Sequence, residues 1–356
     1  MYDIQNPKIR RILADWYAVN KRELPWRQIK DPYKIWISEI ILQQTRVNQG
    51  LDYYIRFIKR FPDVKSLAES DEQEVLKYWQ GLGYYSRARN LHKTAKIIQN
   101  HFNGTFPNNY KEIISLPGIG EYTAAAISSF AFNLPFAAVD GNIFRVLSRL
   151  TGDDTPIDTS SGKKLFTETA QNLLDKSEPG MHNQAIMEFG ALQCTPSSPN
   201  CTSCPLQIFC VAYKQKTTAL LPVKKGKTKV TTRYFNYLFI KNDKFTYLQK
   251  RTGKDIWMNL YEFPLIETDK SIDFEGLLKH ESFVTLFDGV KIRFENKTIC
   301  KKHILSHRII YAVFYTININ SENENLRRFE KIMISELEQY PTSRLTELFL
   351  EEITAE

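Results

Sequence analysis

The chain has 356 residues, of which 42% are hydrophobic, 13% aromatic and 25% charged, and its formal net charge is +8. That length exceeds one ordinary domain and that aromatic content excludes a disordered chain, so two domains with real cores are expected. The most apolar stretch, residues 124–139, is interrupted by two Ser, an Asn and a Pro. It is too short to span a bilayer, and the opening residues lack the apolar core of a secretory signal, so the chain reads as soluble and intracellular.

In chain order, the first informative segment is "DPYKIWISEIILQQTRV". It predicts a helix with Glu39 at its middle, where the neighbours one turn away are Ile35, Trp36, Leu42 and Gln43. A carboxyl among such neighbours is poorly solvated. Its charged form is disfavoured, which is how a general acid is prepared, unless an arginine from elsewhere pairs with it. Next, "YWQGLGYYSRARNLHKTAKII" sets two glycines beside two tyrosines, Arg87, Arg89 and Lys93. Cations interleaved with rings suit a surface that holds phosphates and wedges between bases. "NNYKEIISL", "PGIG" and "EYTAAAISSFAF" then read as helix, tight turn and helix. Gly118 and Gly120 let the backbone pass close and leave amides at a helix N-terminus facing outward, either as an ordinary hairpin or as a phosphate site. Asp140 follows, just ahead of the predicted helix "NIFRVLSRL". It is either an N-cap or a functional acid.

Cys194, Cys201, Cys204 and Cys210 fall within seventeen residues, while Cys300 stands alone in the tail. An intracellular chain seldom uses such a cluster for disulfides. Four thiolates can hold zinc or an iron–sulfur cube, and a single short Cys-x-x-Cys pair favours the cube over zinc. Residues 214–242 then carry Lys214, Lys216, Lys224, Lys225, Lys227, Lys229, Arg233 and Lys241 with no acid, so the whole charge excess sits there. Such a strap either lies along phosphates or is a solvated linker. Beyond it "RYFNYLFIKNDKFTYLQK" predicts strand, Asn-Asp turn and strand, and "RIIYAVFYTIN" another strand. "ISELEQY" and "RLTELFLEEI" predict helices. The expected division is therefore a helical domain over 1–213, a basic linker over 214–230 and an α+β domain over 231–356.

The ordered series "LPGIGEYTA", "VDGNIFRVLSRL" and Cys-x6-Cys-x2-Cys-x5-Cys resembles the helix-hairpin-helix base-excision DNA glycosylases that carry an iron–sulfur cluster. The likeness covers about residues 5–213 and includes the endonuclease III and adenine glycosylase branches. Its implied fold class is a mainly α glycosylase region with a cluster loop, followed by an α+β domain. Where the endonuclease III branch has a Schiff-base lysine, this chain has Tyr122, which cannot form an imine. "SEIILQQTRV" is similar to the adenine glycosylase segment whose Glu is the catalytic acid. The resemblance to the MutY family of adenine glycosylases implies Glu39 as acid, Asp140 as the ionised carboxylate that stabilises or traps the sugar cation, and Tyr122 and Asn142 as their hydrogen-bond partners. It further implies Gln44 and Tyr84 as wedges in the duplex, Gly118, Gly120 and Arg87 as DNA contacts, and Arg27 and Gln184 in the adenine pocket. Cys194, Cys201, Cys204 and Cys210 would hold a [4Fe-4S] cluster.

"IWMNLYEFPLIE" resembles a stretch of Nudix-like folds, yet the glutamate-rich Nudix catalytic box is missing, so a recognition module without hydrolase activity is expected. In the MutY family such a module detects 8-oxoguanine through a Phe-Ser-His loop. Here Leu305, Ser306 and His307 stand at that place, with leucine for the aromatic ring. The cluster loop "CTPSSPNC" lacks basic residues, leaving phosphate contact there to the backbone and to the lysines of the strap. The implied partner is double-stranded DNA holding adenine opposite 8-oxoguanine or guanine, engaged by a monomer in a bacterial cytoplasm and nucleoid. The competing readings are a pyrimidine-lesion glycosylase, disfavoured by Tyr122, and a metal-stabilised DNA-binding scaffold without catalysis.

Overall fold

The computed structural model describes residues 6–226 and 229–354, with the side chains of residues 296 and 297 outside that description. Lys227 of the strap therefore lies outside the described residues. The chain forms two compact units, Met1–Glu69 with Asn90–Gly226, and Ser70–Arg89 with Lys227–Glu356. Tyr84 and Arg87 thus belong by compactness to the second unit.

The helices run in the order α1 (Pro7–Asn20), α2 (Pro32–Leu42), α3 (Val47–Arg60), α4 (Val64–Glu69), α5 (Glu72–Trp79), α6 (Ser86–His101), α7 (Tyr110–Ser115), α8 (Glu121–Phe132), α9 (Gly141–Thr151), α10 (Ser160–Leu173), α11 (Pro179–Leu192) and α12 (Val211–Lys214). Local chemistry fixes the ends of those that matter. Asp31 caps α2 by accepting from the amides of Tyr33 and Lys34, and Pro32 supplies the preset φ of a first helical residue. Asn109 caps α7, and Asn133 ends α8 in the left-handed conformation. From Tyr33 to Ile41, α2 is buried along almost its whole surface except at Lys34, so it is a central helix and not an amphipathic one. It packs against α3 and α8. The small side chains Ala124, Ala125, Ala126, Ser128 and Ser129 on the buried surface of α8 permit that closeness.

A second core joins α1, α9, α10 and α11 through Leu13, Leu147, Phe166, Ile186 and Phe189. Two of the glycines required by contact shape the site. Gly118 has φ +77°, and a Cβ there would lie 2.6 Å from Asn90 Cβ; at Gly190 a Cβ would lie 2.7 Å from Asn142 Cβ. The bare turn at Gly118 shapes the hairpin, and the bare face at Gly190 lets α11 reach the start of α9. No helix of the described residues is long and apolar enough to cross a membrane.

In the second unit the strands are β1 (Thr231–Lys241), β2 (Phe245–Lys250), β3 (Tyr261–Glu262), β4 (Leu265–Thr268), β5 (Ile292–Ile304), β6 (Arg308–Ile319) and β7 (Glu330–Met333), with α13 (Phe274–Leu278), α14 (Glu281–Leu286), α15 (Glu324–Arg327) and α16 (Arg344–Thr354). Among the described residues they form one sheet ordered β4-β1-β6-β5 and another ordered β3-β2-β7. β1 and β6 run parallel, with Thr231 opposite Arg308 and Tyr237 opposite Phe314. Residues 235–240 of β1 are all buried, as expected for a strand covered on both faces. The predicted turn forms with Asp243 at φ +55°, but β1 and β2 then part into different sheets. Phe239, Phe263 and Phe314 pack on Phe349 of α16, which anchors that helix to the sheet. "ISELEQY" is a 3-10 helix, Ile334–Gln339, and not an α-helix. With only one apolar anchor, Leu337, it has too little buried surface to hold a longer helix.

Candidate active site

Glu39 of α2, Tyr122 in the first turn of α8, Asp140 and Asn142 at the start of α9 and Gln184 of α11 line one cavity of about 220 Å³, with Arg27, Trp26, Phe130 and Glu188 among its other walls. The cavity has room for a flat bicyclic base. Tyr122 donates its hydroxyl to Glu39 Oε2 at 2.5 Å. Burial pushes the Glu39 carboxyl up to about 7, the nearby negative charge of Asp140 adds to that, and the Tyr122 hydroxyl and Arg27 oppose it. Burial and both acids hold the Tyr122 phenol far above its usual range, so it remains a donor.

Asp140 is both a helix cap and a cavity acid. Its Oδ1 accepts from the amide of Ile143 at 2.8 Å, and its Oδ2 accepts from Asn142 Nδ2 at 2.7 Å. Burial raises this carboxyl too, while those donors and Arg145 favour the anion. Glu39 has one such hydroxyl donor and Asp140 has several donors, so the first proton of the pair leaves Asp140. Asn142 is oriented in turn by Arg145, whose Nη2 donates to Asn142 Oδ1 at 2.8 Å and to the Gly190 carbonyl at 2.7 Å.

The site contains a third buried acid that the sequence reading did not select. Glu188 accepts from Arg22 Nη2 at 2.7 Å and from Arg27 Nη1 at 2.9 Å. Burial raises its carboxyl, but the two arginines outweigh that and bring it down to about 2. Arg27 is thereby fixed in the cavity wall. Gln184 Oε1 accepts from the Tyr17 hydroxyl at 2.7 Å.

Residues 37–173 match the HhH-GPD superfamily of base excision DNA repair proteins, and residues 236–352 match the NUDIX domain. The chain is 40% identical over 311 residues to an adenine DNA glycosylase of Buchnera aphidicola subsp. Baizongia pistaciae, covering 86% of this chain and 85% of that one. The chain belongs to the adenine DNA glycosylase family. An adenine DNA glycosylase of Arabidopsis thaliana is 32% identical over 376 residues, covering 90% of this chain and 59% of that one. Among solved structures, that of a thermostable thymine-DNA glycosylase is similar at a TM-score of 0.55 and 29% identity, over 59% of this chain and 97% of that one. Endonuclease III in a non-covalent DNA complex is similar at a TM-score of 0.53 and 25% identity, over 61% of this chain and 99% of that one. The enzyme is therefore a DNA glycosylase, a hydrolase of N-glycosidic bonds, with a helical HhH-GPD domain and a Nudix domain.

The other sequence-selected residues sort into groups. Cys194, Cys201, Cys204 and Cys210 are free and surround one gap of about 30 Å³ together with Arg149. Among the described residues no three His, Cys, Asp or Glu side chains are drawn together closely enough to hold a single ion. Burial, with the neighbouring cysteines adding to it, pushes the Cys204 thiol up to about 12, so its thiolate there needs a cationic partner. Two buried arginines of α9 brace the loop. Arg149 Nη1 reaches Cys194 Sγ at 3.4 Å and the Thr195 carbonyl at 2.7 Å, and Arg145 Nε donates to the Cys194 carbonyl at 2.8 Å.

Gln44 and Tyr84 are both exposed, and both have positive φ, +57° and +47°. Such conformations in side-chain-bearing residues are a strain that concentrates at functional positions. Gly120 caps α8 in the extended region with open space around it. Arg87 is engaged within its own unit: its Nη2 donates to the carbonyls of Leu82 and Gly83 at 3.2 Å, and its guanidinium lies over the rings of Trp79 and Tyr84. Burial lowers it to about 10. It supports the loop that presents Tyr84.

Leu305, Ser306 and His307 form the tip of the β5–β6 hairpin, with Leu305 half-buried and the other two exposed. They line a cavity of about 490 Å³ with Gly83, Tyr84, Lys254 and Trp257. Ser306 Oγ accepts from the Tyr84 hydroxyl at 3.3 Å and lies 3.2 Å from His307 Nδ1. The strap is less available to phosphates than its composition suggests. Arg233 is paired with Asp255 and Glu267, and Lys241 with Glu295. Lys214, Lys216, Lys224, Lys225 and Lys229 are exposed. Asp158 pins the strap by accepting from the amides of Lys225 and Gly226 at 2.9 and 2.8 Å.

Proposed function

We propose that the enzyme removes adenine standing opposite 8-oxoguanine or guanine in duplex DNA, by hydrolysis and without cutting the strand. The single observation that carries this reading is a cavity in which Glu39, held near neutral, faces the same space as Asp140. The adenine must leave the helix to reach it, because its glycosidic bond is inaccessible in the stack. Glu39 gives its proton to a ring nitrogen, the C1′–N9 bond breaks with its electron pair leaving on the base, and the sugar becomes an oxocarbenium ion. The Asp140 carboxylate shelters that cation until water adds at C1′ and releases a proton. The products are free adenine and an abasic site. Tyr122 keeps the Glu39 carboxyl oriented, and Asn142 does the same for Asp140. With a phenol at position 122 no amine is presented to the sugar, so no imine forms and no strand-cleaving elimination follows.

The exposed, strained Gln44 and Tyr84 suit insertion into the opened duplex, and the hairpin at Gly118 and Gly120 suits a phosphate at the start of α8. In the Nudix domain, a reading module without hydrolase activity, Ser306 and His307 are the polar groups for 8-oxoguanine. Leu305 contributes apolar contact there in place of an aromatic ring. The division of labour runs from a helical domain over 1–213 through the linker 214–230 to the reading domain over 231–356.

The test is a labelled duplex with adenine opposite 8-oxoguanine, incubated with the protein and divided. The expected result is strand breakage only after hot alkali, and faster when the partner is 8-oxoguanine than when it is guanine. Breakage without alkali would exclude the hydrolytic mechanism.

The four clustered cysteines, Cys194, Cys201, Cys204 and Cys210, fit a [4Fe-4S] cluster, which when bound supplies the positive charge that lets four crowded thiolates coexist and ties their loop together. Cys204→Ser is expected to lose iron and acid-labile sulfide together with the broad visible absorbance, and to melt at lower temperature. Zinc in place of iron, found by elemental analysis of the purified protein, would overturn the assignment.

A further inference from the structure

Gln184 of α11 stands in the wall between two adjoining cavities, the one with Glu39 and Asp140 and a second of about 310 Å³. A glutamine amide can take two orientations that exchange its carbonyl for its amino group, and these present opposite hydrogen-bond polarity to a ligand. Tyr17 biases that choice. Its hydroxyl donates to Gln184 Oε1 at 2.7 Å. Burial raises the phenol above its ordinary value, so it keeps its proton throughout the neutral range. The ring is only 7% exposed, within the core of α1, α9 and α11, and the Arg27 guanidinium lies 5.8 Å from its centre. Arg27 is itself fixed by Glu188.

Turned round, the amide would donate Nε2 to the phenol oxygen instead, and the half-buried phenol proton would lose Gln184 Oε1 as its acceptor, a cost that disfavours the reversal. In the orientation present, Oε1 keeps a second lone pair and Nε2 donates to no described group. That edge, acceptor beside donor, matches the 6-amino group and adjacent ring nitrogen of adenine, the pairing by which a glutamine reads adenine elsewhere. A 6-oxo purine meets it with an acceptor where an amino group is required.

We propose that Tyr17 is a specificity-positioning residue, which makes the cavity prefer 6-amino over 6-oxo purines by fixing which end of the Gln184 amide is the carbonyl. The proposal rests on the reading of this cavity as the adenine pocket. Its test measures single-turnover excision of adenine and of hypoxanthine, each opposite 8-oxoguanine, by the full-length protein and by Tyr17→Phe, Gln184→Glu and the double variant. In Tyr17→Phe the adenine-to-hypoxanthine rate ratio is expected to fall about tenfold, the selectivity carried by one reversed hydrogen bond. In the Gln184→Glu background the same change should leave the ratio alone, because a carboxylate has two equivalent acceptors and no polarity to set. A Tyr17→Phe protein that slows on both bases alike, or a ratio that falls equally in the Glu background, would overturn the role. Gln184→Ala with an unchanged adenine rate and ratio would instead remove the adenine-pocket reading beneath it.

Discussion

Glu39→Gln is expected to bind the mispaired duplex and release no measurable base, with the single-turnover rate falling by about 10² to 10⁴, the range supplied by a positioned general acid. The substitution keeps the size and the hydrogen-bond acceptor that Tyr122 addresses, and deletes only the proton that the purine needs. The pH profile of the unmodified enzyme checks the same group. Glu39 works in its protonated form and is held up to about 7, first by burial. Excision should therefore be level below that value, as far as this residue is concerned, and fall about tenfold per pH unit above it. Stability moves with the same sign. A carboxyl whose folded value lies above its unfolded one, about 4.3, contributes stability that is fully present below the unfolded value and lost as pH rises through about 7. A glutamine does not titrate, so the melting temperature of Glu39→Gln should gain on that of the unmodified enzyme between those two values and hold a constant lead above. A variant that still excises adenine, or an excision rate that rises through pH 8, would remove Glu39 from the mechanism.

Glu39 and Glu188 together explain what could be read from the sequence and what could not. Each is a lone acid in a buried stretch of helix, "WISEIIL" and "AIMEFGAL", so local patterning marks them equally. One becomes a near-neutral acid and the other a carboxylate held at about 2, because Arg22 and Arg27 reach Glu188 across more than a hundred and sixty residues of chain. Local sequence carries burial; it does not carry the partner. The helices around the site were legible for the opposite reason. α2 and α9 start at Asp31 and Asp140 through side-chain capping that acts within three residues, and α8 starts where the bare turn at Gly118 and Gly120 ends. Arg145 and Arg149 were missed because a positive charge in "NIFRVLSRL" reads as a solvated face. Both are buried, with their donors directed at carbonyls of the cysteine loop some fifty residues away. The ion pairs of the basic segment were illegible for the same cause: Arg233 and Lys241 meet acids on β4 and β5 that no local window contains.

Asp140→Asn is expected to separate two roles that one side chain performs. As the cap of α9 it accepts from the Ile143 amide, a role asparagine fills about as well; the donor it sets against Asn142 Nδ2 is offset by removal of a buried charge, so stability should stay within about 1 kcal/mol of the unmodified enzyme. As the anion beside the sugar it has no substitute, and the single-turnover rate should fall by about 10³, comparable to the loss of a fixed group that stabilises developing charge. Asp140→Ala should lose the rate and, in addition, about 0.5–2 kcal/mol of stability, because the cap goes as well. The charge on Asp140 also helps to raise Glu39, so the residual activity of Asp140→Asn should lose its alkaline limb at lower pH than the unmodified enzyme does. Thermal melts of the two variants beside their rates and pH profiles decide the matter. Equal rates for Asp140→Asn and the unmodified enzyme, with only Asp140→Ala impaired, would reduce Asp140 to a helix cap and leave the sugar cation without its counter-charge.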